Sequence, residues 1–380
     1  SQLTTLKLQQ LVNSCEDNVT YAHPQQLDYP IIQLLNNQGQ LSQDIPTALQ
    51  EPRFWLQAYE HLWRTRLLDQ RAISLQRNGQ LGTYASCLGQ EAISTAIGFS
   101  LHANDVFVPY YRDQAAQMLR GTKMRSILQF WGGDEWGSHD APKQDLPACI
   151  PIATQITHAA GVATALKLKH QKQAALTTCG DGASSRGDFY EALNLAGVWH
   201  LPLVVVINNN QWAISVPLSQ QTASETLAQK AIAAGVLGVR VDGNDFFALM
   251  AVLAEALERA RSGKGATLIE AITYRLCDHT TADDMSRYAD ANQRATAKEH
   301  EPLLRFRRLL DQQLNWTDAQ QQQLEQKLQQ EIEQEVQAYL ALPTPKINDM
   351  FDYLYEQLPI DLQQQKQQFL AQKGGSHHAP

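Results

Sequence analysis

The sequence predicts an α/β fold with an open, mainly parallel sheet flanked by helices. Three observations predict it. Short apolar runs rich in β-branched residues recur between longer stretches of helical periodicity. Two of those runs, Ala174–Cys179 and Leu203–Ile207, are separated by one helix-length segment, the spacing of a right-handed βαβ unit. The pattern then returns downstream, with a strand near Val239–Val241, a helix over Phe246–Arg261 and a strand over Thr267–Tyr274.

Taken in order, residues 1–50 are rich in Gln and Asn, carry Pro24, Pro30 and Pro46, and read as an arm over the surface. Residues 51–310 form the α/β domain. Within it, Gly180-Asp181-Gly182 reads as a turn after the first strand. Asp188 to Trp199 is helical, with Phe189, Leu193, Ala196 and Val198 apolar and an acidic first turn that suits the helix dipole. Leu201-Pro202 stops that helix, and Asn208-Asn209-Asn210 ends the second strand. Asp245 is the expected cap of the Phe246–Arg261 helix, and Gly263 its stop.

Residues 311–373 read as a helical C-terminal extension. Leu324, Leu328, Ile332, Val336 and Leu340 repeat along it, and Thr317 with Gln320 forms a candidate capping box. The stripe fits either packing onto the body of the same chain or a subunit contact. The tail 374–380 reads as a cloning scar.

Composition narrows the function. The 380-residue chain is 43% hydrophobic and 18% charged, enough for a full core. Its net charge of −8 provides no basic field for nucleic acid. The longest apolar run, Phe246–Leu257, is too short for a membrane span and is interrupted by Glu255. No basic segment followed by an apolar one opens the chain. Cys15, Cys87, Cys149, Cys179 and Cys277 are scattered and odd in number, which points away from a disulfide framework and towards a reducing, cytoplasmic compartment.

In open α/β sheets, ligands bind beyond the carboxyl ends of the strands. Asp181 follows the first strand and Asn210 the second. If those strands are neighbours, roughly 4.8 Å apart, both side chains reach one cation. A carboxylate with an amide oxygen is hard-oxygen chemistry suited to Mg²⁺. With one carboxylate only, the cation needs anionic oxygens from elsewhere, and a diphosphate supplies them. Gly182 lets the backbone approach it, and the N-terminus of the Asp188 helix adds positive potential. A bare Gly-Asp-Gly is otherwise a common turn. A nicotinamide site is the competing reading, but Gly180, Gly182 and Gly187 are spaced G-x-G-x-x-x-x-G, and the second strand ends in Asn rather than an acidic ribose ligand.

From Gly180-Asp181-Gly182 to Asn209-Asn210 the sequence resembles the thiamine diphosphate motif. The longer string from Gly180 to Trp199, then Asn209-Asn210-Gln211-Trp212-Ala213-Ile214-Ser215-Val216-Pro217, is similar to the E1 α subunits of pyruvate and branched-chain 2-oxoacid dehydrogenases. The resemblance runs from about Leu81 to Leu310 and takes in Gly89-Gln90-Glu91-Ala92, Tyr110-Tyr111-Arg112-Asp113, Pro151 to Gln155, Val241 to Asp245, and Thr273-Tyr274-Arg275 followed by His279 and Asp283-Asp284.

The resemblance implies a thiamine-diphosphate-binding fold and roles for particular residues. Asp181 and Asn210 are the implied Mg²⁺ ligands, with the backbone carbonyl of Trp212 as a third. Tyr111 and Arg112 are implied to hold the diphosphate, and Gly182 and Ala183 to contact the cofactor through their backbone. Ile150 and Ile152 fall where the family supports and bends the cofactor; from pattern alone both read equally as core. His279 is the implied catalytic residue, near the diphosphate and the substrate channel. Arg186, Asn208, Cys277 and Asp278 depart from the residues common at their positions, and none of these changes removes a metal ligand.

The implied reaction is decarboxylation of a 2-oxoacid, pyruvate first and branched-chain 2-oxoacids as the alternative, with acyl transfer to a lipoyl arm on E2. The implied assembly is an α₂β₂ heterotetramer in which the β chain supplies the carboxylate that activates the aminopyrimidine. A non-catalytic thiamine diphosphate or Mg-nucleotide binding protein is the alternative from another class.

Overall fold

In the computed structural model, residues 29–43 and 45–373 are described. The calls on Cys15, Pro24 and the 374–380 tail lie outside those residues. The strands are β1 (Ile31–Ile32), β2 (Val106–Val108), β3 (Ala175–Gly180), β4 (Leu203–Asn209), β5 (Trp212–Ala213), β6 (Val216–Pro217), β7 (Leu237–Asp242) and β8 (Thr267–Ile272). The helices are α1 (Pro52–Arg77), α2 (Glu91–Ser100), α3 (Gln114–Leu119), α4 (Met124–Trp131), α5 (Thr154–Leu168), α6 (Gly187–Val198), α7 (Lys230–Ala234), α8 (Phe246–Arg261), α9 (Ala291–Glu299), α10 (Pro302–Leu314), α11 (Asp318–Leu340), α12 (Asp349–Asp352) and α13 (Ile360–Lys373).

Six strands form one parallel sheet in the order β1-β7-β8-β4-β3-β2, and β5 pairs with β6 in a small antiparallel hairpin. The fold class read from the sequence is therefore the one observed. Alternate residues of each strand feed opposite faces, as a two-residue period demands. Leu176, Val204, Val206 and Ile269 join the core formed with α1, α2, α8 and α10. Ala175, Leu203, Val205 and Leu268 join the core formed with α5 and α6. From β2 through β3 to β4 the chain advances across the sheet, whereas from β7 to β8 it steps back. With right-handed crossovers, that reversal puts α8 on the face opposite to α5 and α6.

β3 and β4 are neighbours, with Gly180 opposite Asn208, so the ends that carry Asp181 and Asn210 lie side by side. β4 extends two residues further than the apolar run suggests, taking Asn208 and Asn209 into the strand. The Gly180-Asp181-Gly182 turn is the start of a 3-10 turn over Asp181–Ser185. Asp245 caps α8 by accepting from the Phe247 and Ala248 amides, and its other oxygen accepts from the Leu34 and Leu35 amides at 2.5 and 2.6 Å.

That second contact changes the reading of the arm. Ile31–Ile32 is an edge strand paired with β7, and Leu35, Ile45 and Leu49 are buried in the main core. At the other end, residue 310 falls inside α10, whose Phe306, Leu309 and Leu310 belong to the same core. The capping box of α11 is present, with Gln320 N–H donating to Thr317 Oγ1 and Thr317 N–H to Gln320 Oε1. Leu328, Ile332 and Val336 are buried, and the last two pack against Leu68, Ala72 and Leu75, so the middle of the stripe packs onto the body of the chain. Leu340, at its end, is exposed. Among the described residues no helix is long and apolar enough to cross a membrane.

Candidate functional site

A cavity of about 210 Å³ opens at the carboxyl ends of β3 and β4. Of the residues picked out from sequence, Tyr111, Arg112, Ile152, Asp181, Gly182, Ala183, Asn210, Trp212 and His279 line it. Ile150 does not reach its wall. It neighbours the lining residues Cys149 and Pro151 and is 49% exposed; Ile152 is 44% exposed, so neither isoleucine is core.

Asp181 is buried at the start of its turn. One carboxylate oxygen accepts from Gln221 Nε2 at 2.7 Å, and the other is enclosed with no partner. Burial pushes its pKa up to about 6, and the bond from Gln221 is the largest opposing influence. An enclosed carboxylate oxygen without a donor is what a cation site requires before it is filled. The neighbouring Asn210 amide oxygen has only a long bond at 3.2 Å from the Trp212 amide, and the Asn210 amide nitrogen donates to Gln90 Oε1 at 3.3 Å. Asn209 is engaged elsewhere, donating to Glu270 at 2.8 Å. Of the triplet, Asn210 lines the cavity and Asn208 and Asn209 do not.

Gly182 is required here by close packing. A Cβ at that position would lie 2.7 Å from the Ala213 methyl, which holds the β5–β6 hairpin against the turn. Gly89 is required by its conformation, with φ of +92°, and by the Tyr274 carbonyl 2.7 Å from where a Cβ would stand. It sets the loop that presents Gln90 to Asn210.

On the opposite wall Arg112 is buried. Its guanidinium donates to the Ser86 carbonyl, to the His279 carbonyl at 2.7 Å and to His279 Nδ1 at 3.1 Å. Arg275, fully buried, donates to the Ile214 carbonyl at 2.7 Å, the Tyr288 hydroxyl at 2.6 Å and the Cys277 carbonyl at 3.1 Å, and lies 3.5 Å from His279 Nδ1. Neither arginine has a carboxylate within 4.0 Å among the described residues. Two buried guanidinium groups thus converge on one imidazole without a counter-ion. That leaves a positive potential which an anion of at least two charges would neutralise.

Arginine only donates, so His279 Nδ1 accepts and the ring proton belongs on Nε2. Burial, then Arg112 and Arg275, hold the His279 pKa down to about 4, so the imidazole is neutral at pH 7. Its amide donates to Asp283 at 2.7 Å, and Tyr288 donates to the same carboxylate oxygen, which fixes the loop. Asp113 holds the Tyr110-Tyr111-Arg112 turn from below, accepting from the Tyr110 amide at 3.1 Å and from Thr178 Oγ1. Burial raises its pKa to about 7.

Gln221 and Ser86 carry no signal in the sequence, and Gln90 and Arg275 stand only inside strings that resemble the family, with no role assigned to them. Arg275 lies three residues beyond the end of β8. Gln221 and Ser86 lie in loops without periodicity.

With the geometry in place, comparison with known proteins gives the class. Residues 59–348 match the dehydrogenase E1 component family. The chain belongs to that family, whose members depend on thiamine diphosphate and Mg²⁺. Within it, the chain is of the 2-oxoacid dehydrogenase E1 α type. It is 38% identical over 331 residues to a 3-methyl-2-oxobutanoate dehydrogenase subunit alpha of Mycobacterium tuberculosis, covering 87% of this chain and 89% of the relative. To a pyruvate dehydrogenase E1 component subunit alpha of Bacillus subtilis it is 39% identical over 305 residues, 79% of this chain and 82% of the relative. To the protein of the same name from Bacillus cereus it is 36% identical over 340 residues, 89% and 91% of the two chains.

The donor set fits the family's cofactor. The enclosed, unpartnered oxygen of Asp181 beside the Asn210 amide suits Mg²⁺, and Arg112 on the wall, with Arg275 behind His279 and neither paired to a carboxylate, suits a diphosphate.

Proposed function

We propose that this chain is the α subunit of a pyruvate dehydrogenase E1, binding the Mg²⁺-diphosphate half of thiamine diphosphate and active only with a β chain. The observation that carries the reading is the unpartnered Asp181 oxygen beside Asn210, in a cavity whose wall also carries Arg112. Asp181, Asn210 and the Trp212 carbonyl hold the metal. Tyr111 and Arg112 hold the diphosphate, with the charge of Arg275 behind His279, and the Gly182–Ala183 backbone lies along it. When bound, the cofactor supplies a carbon nucleophile and an electron sink for decarboxylation. The chain's residues orient it and exclude water. His279, neutral and pinned through Nδ1, keeps a proton on Nε2 at the cavity wall, where it donates to the substrate or the diphosphate.

The need for a β chain has its own support. Among the described residues Asp181 is the only acidic one lining the cavity, and in this reading it binds the metal. The carboxylate that activates the aminopyrimidine therefore comes from another chain. Ile150, Ile152 and Ile214, 44–55% exposed around the mouth, are apolar surface for that chain and the cofactor to cover. An α₂β₂ assembly handing its acyl group to a lipoylated E2 in the cytoplasm completes the reading.

A branched-chain 2-oxoacid is the second reading, favoured by the mycobacterial relative at 38% identity. Decarboxylation assays on the reconstituted α/β complex, with pyruvate and 3-methyl-2-oxobutanoate in parallel, test both. Turnover of pyruvate by the complex and by neither chain alone is expected. Preference for the branched acid would replace the first reading by the second. Turnover by the α chain alone would overturn the two-chain assignment.

A further inference from the structure

We infer that Lys230 is a positioning residue for the metal-binding turn, acting through Ser184. The inference rests on the cofactor reading above. Lys230 opens α7 and is 5% exposed, yet it forms no salt bridge among the described residues. Its ammonium donates to the Ser184 carbonyl at 2.8 Å and to Ser184 Oγ at 3.1 Å, and lies 5.2 Å from the centre of the Tyr190 ring. Ser184, fully buried, donates in turn from Oγ to the Asp181 carbonyl at 2.7 Å. Lysine, serine and aspartate backbone thus form one chain of hydrogen bonds that grips the 3-10 turn at its first and fourth residues.

Lys230 and Ser184 do not line the cavity, whereas Asp181, Gly182 and Ala183 do. The lysine therefore acts from behind the turn. A buried ammonium without a carboxylate is costly unless its donors are well used. Here the donors face a carbonyl, a hydroxyl and an aromatic face. A neutral side chain of the same length would leave the Ser184 carbonyl without its donor and release the turn. The consequence falls on the placement of the Asp181 carboxylate and of the backbone along the diphosphate. The charge of the lysine also adds positive potential behind an anion site, a contribution that no neutral replacement restores.

The test is calorimetric titration of Mg²⁺-thiamine diphosphate into the α/β complex carrying Lys230→Met, Ser184→Ala or both, with turnover measured at saturating cofactor. Lys230→Met is expected to raise the cofactor Kd by about tenfold or more, the scale of one lost charge-assisted hydrogen bond. Turnover at saturation is expected to stay within about threefold. The double variant is expected to lose less than the sum of the two, because both changes break one chain. Unchanged affinity in Lys230→Met, or additive losses, would overturn the inference. Should Lys230→Met fail to assemble with the β chain, Ser184→Ala carries the test, and an unchanged Kd in that variant would overturn it. A wild-type complex that does not bind the cofactor would instead overturn the cofactor reading, and the inference with it.

Discussion

Two regions of this molecule bury charge in opposite ways. Where α1 meets α2, α10 and α11, buried or half-buried arginines have carboxylate partners. Arg66 bridges Glu91 at 2.5 Å and Glu301 at 2.6 Å, Arg64 bridges Glu60 and Glu331, and Arg305 meets Asp242 at 2.5 Å. At the ends of β3 and β4, Arg112, Arg275 and Lys230 have none, and Asp181 keeps a free oxygen among the described residues. A protein gains nothing in stability from burying a charge without a partner. The paired region is therefore structural, and the unpaired region is shaped for something that arrives with the missing charges.

The largest expected effect breaks the unpaired side. Asp181→Ala and Asn210→Ala should each weaken Mg²⁺-dependent cofactor binding by about a hundredfold or more, since the proposed function makes each a metal ligand. The cofactor-free complex should keep its thermal stability, because among the described residues the Asp181 side chain bonds to Gln221 alone. Calorimetry together with thermal unfolding checks both halves, and unchanged affinity in both variants would remove the site assignment.

Arg66→Met breaks the paired side and should give the mirror result. It leaves Glu91, which is fully buried, with the Gly89 amide but without its charged partner, and should cost about 3–5 kcal/mol of stability in chemical denaturation. Cofactor affinity of the folded complex should be unchanged. Loss of affinity with full stability would mean that the comparison has been drawn the wrong way round.

Arg275→Met sharpens the contrast. It should weaken the cofactor by about tenfold, through lost positive charge behind the cavity wall and release of His279 rather than through a direct contact. The melting temperature without cofactor should fall less than for Arg66→Met, because the guanidinium bonds only neutral groups and its like-charged neighbour Arg112 is relieved.

The smallest effect is in pH dependence. His61, on the helical side, and His279, in the site, are both held down to about 4 from 6.5, chiefly by burial. A histidine depressed in the folded state is protonated first in the unfolded chain. Its stability contribution is present above about 6.5 and is lost as the pH falls towards 4. Melting temperature against pH should flatten over that window in His61→Gln and in His279→Gln. Cofactor should alter the slope only for His279, since a nearby diphosphate favours the imidazolium.

Most of the fold could be read from residues because its long elements have strong periods. β3, β4 and α8 lie within two residues of the sequence reading, and the Asp245 and Thr317 caps are where short polar side chains precede helical patterns. The edge strand Ile31–Ile32 was not legible, because two residues have no period and their partner β7 is remote in sequence. The site divided in the same way. Asp181 and Asn210 were legible from strand ends alone. Tyr111, Arg112 and His279 came from the family resemblance. Gln90, Gln221, Ser86 and Lys230 approach from loops and a short helix distant in sequence, and only tertiary packing brings them to the turn.

The claim that unpaired buried charge marks the cofactor site is tested most directly by comparing thiamine diphosphate with thiamine. Both would be titrated into the α/β complex by calorimetry, with Mg²⁺ and with a chelator. If Asp181, Arg112 and Arg275 await a metal-bound diphosphate, the diphosphate should bind only with Mg²⁺, and thiamine should bind weaker by about a thousandfold or more, the loss of two or more charge-assisted contacts. Equal affinity for thiamine and its diphosphate, or binding indifferent to Mg²⁺, would contradict the account.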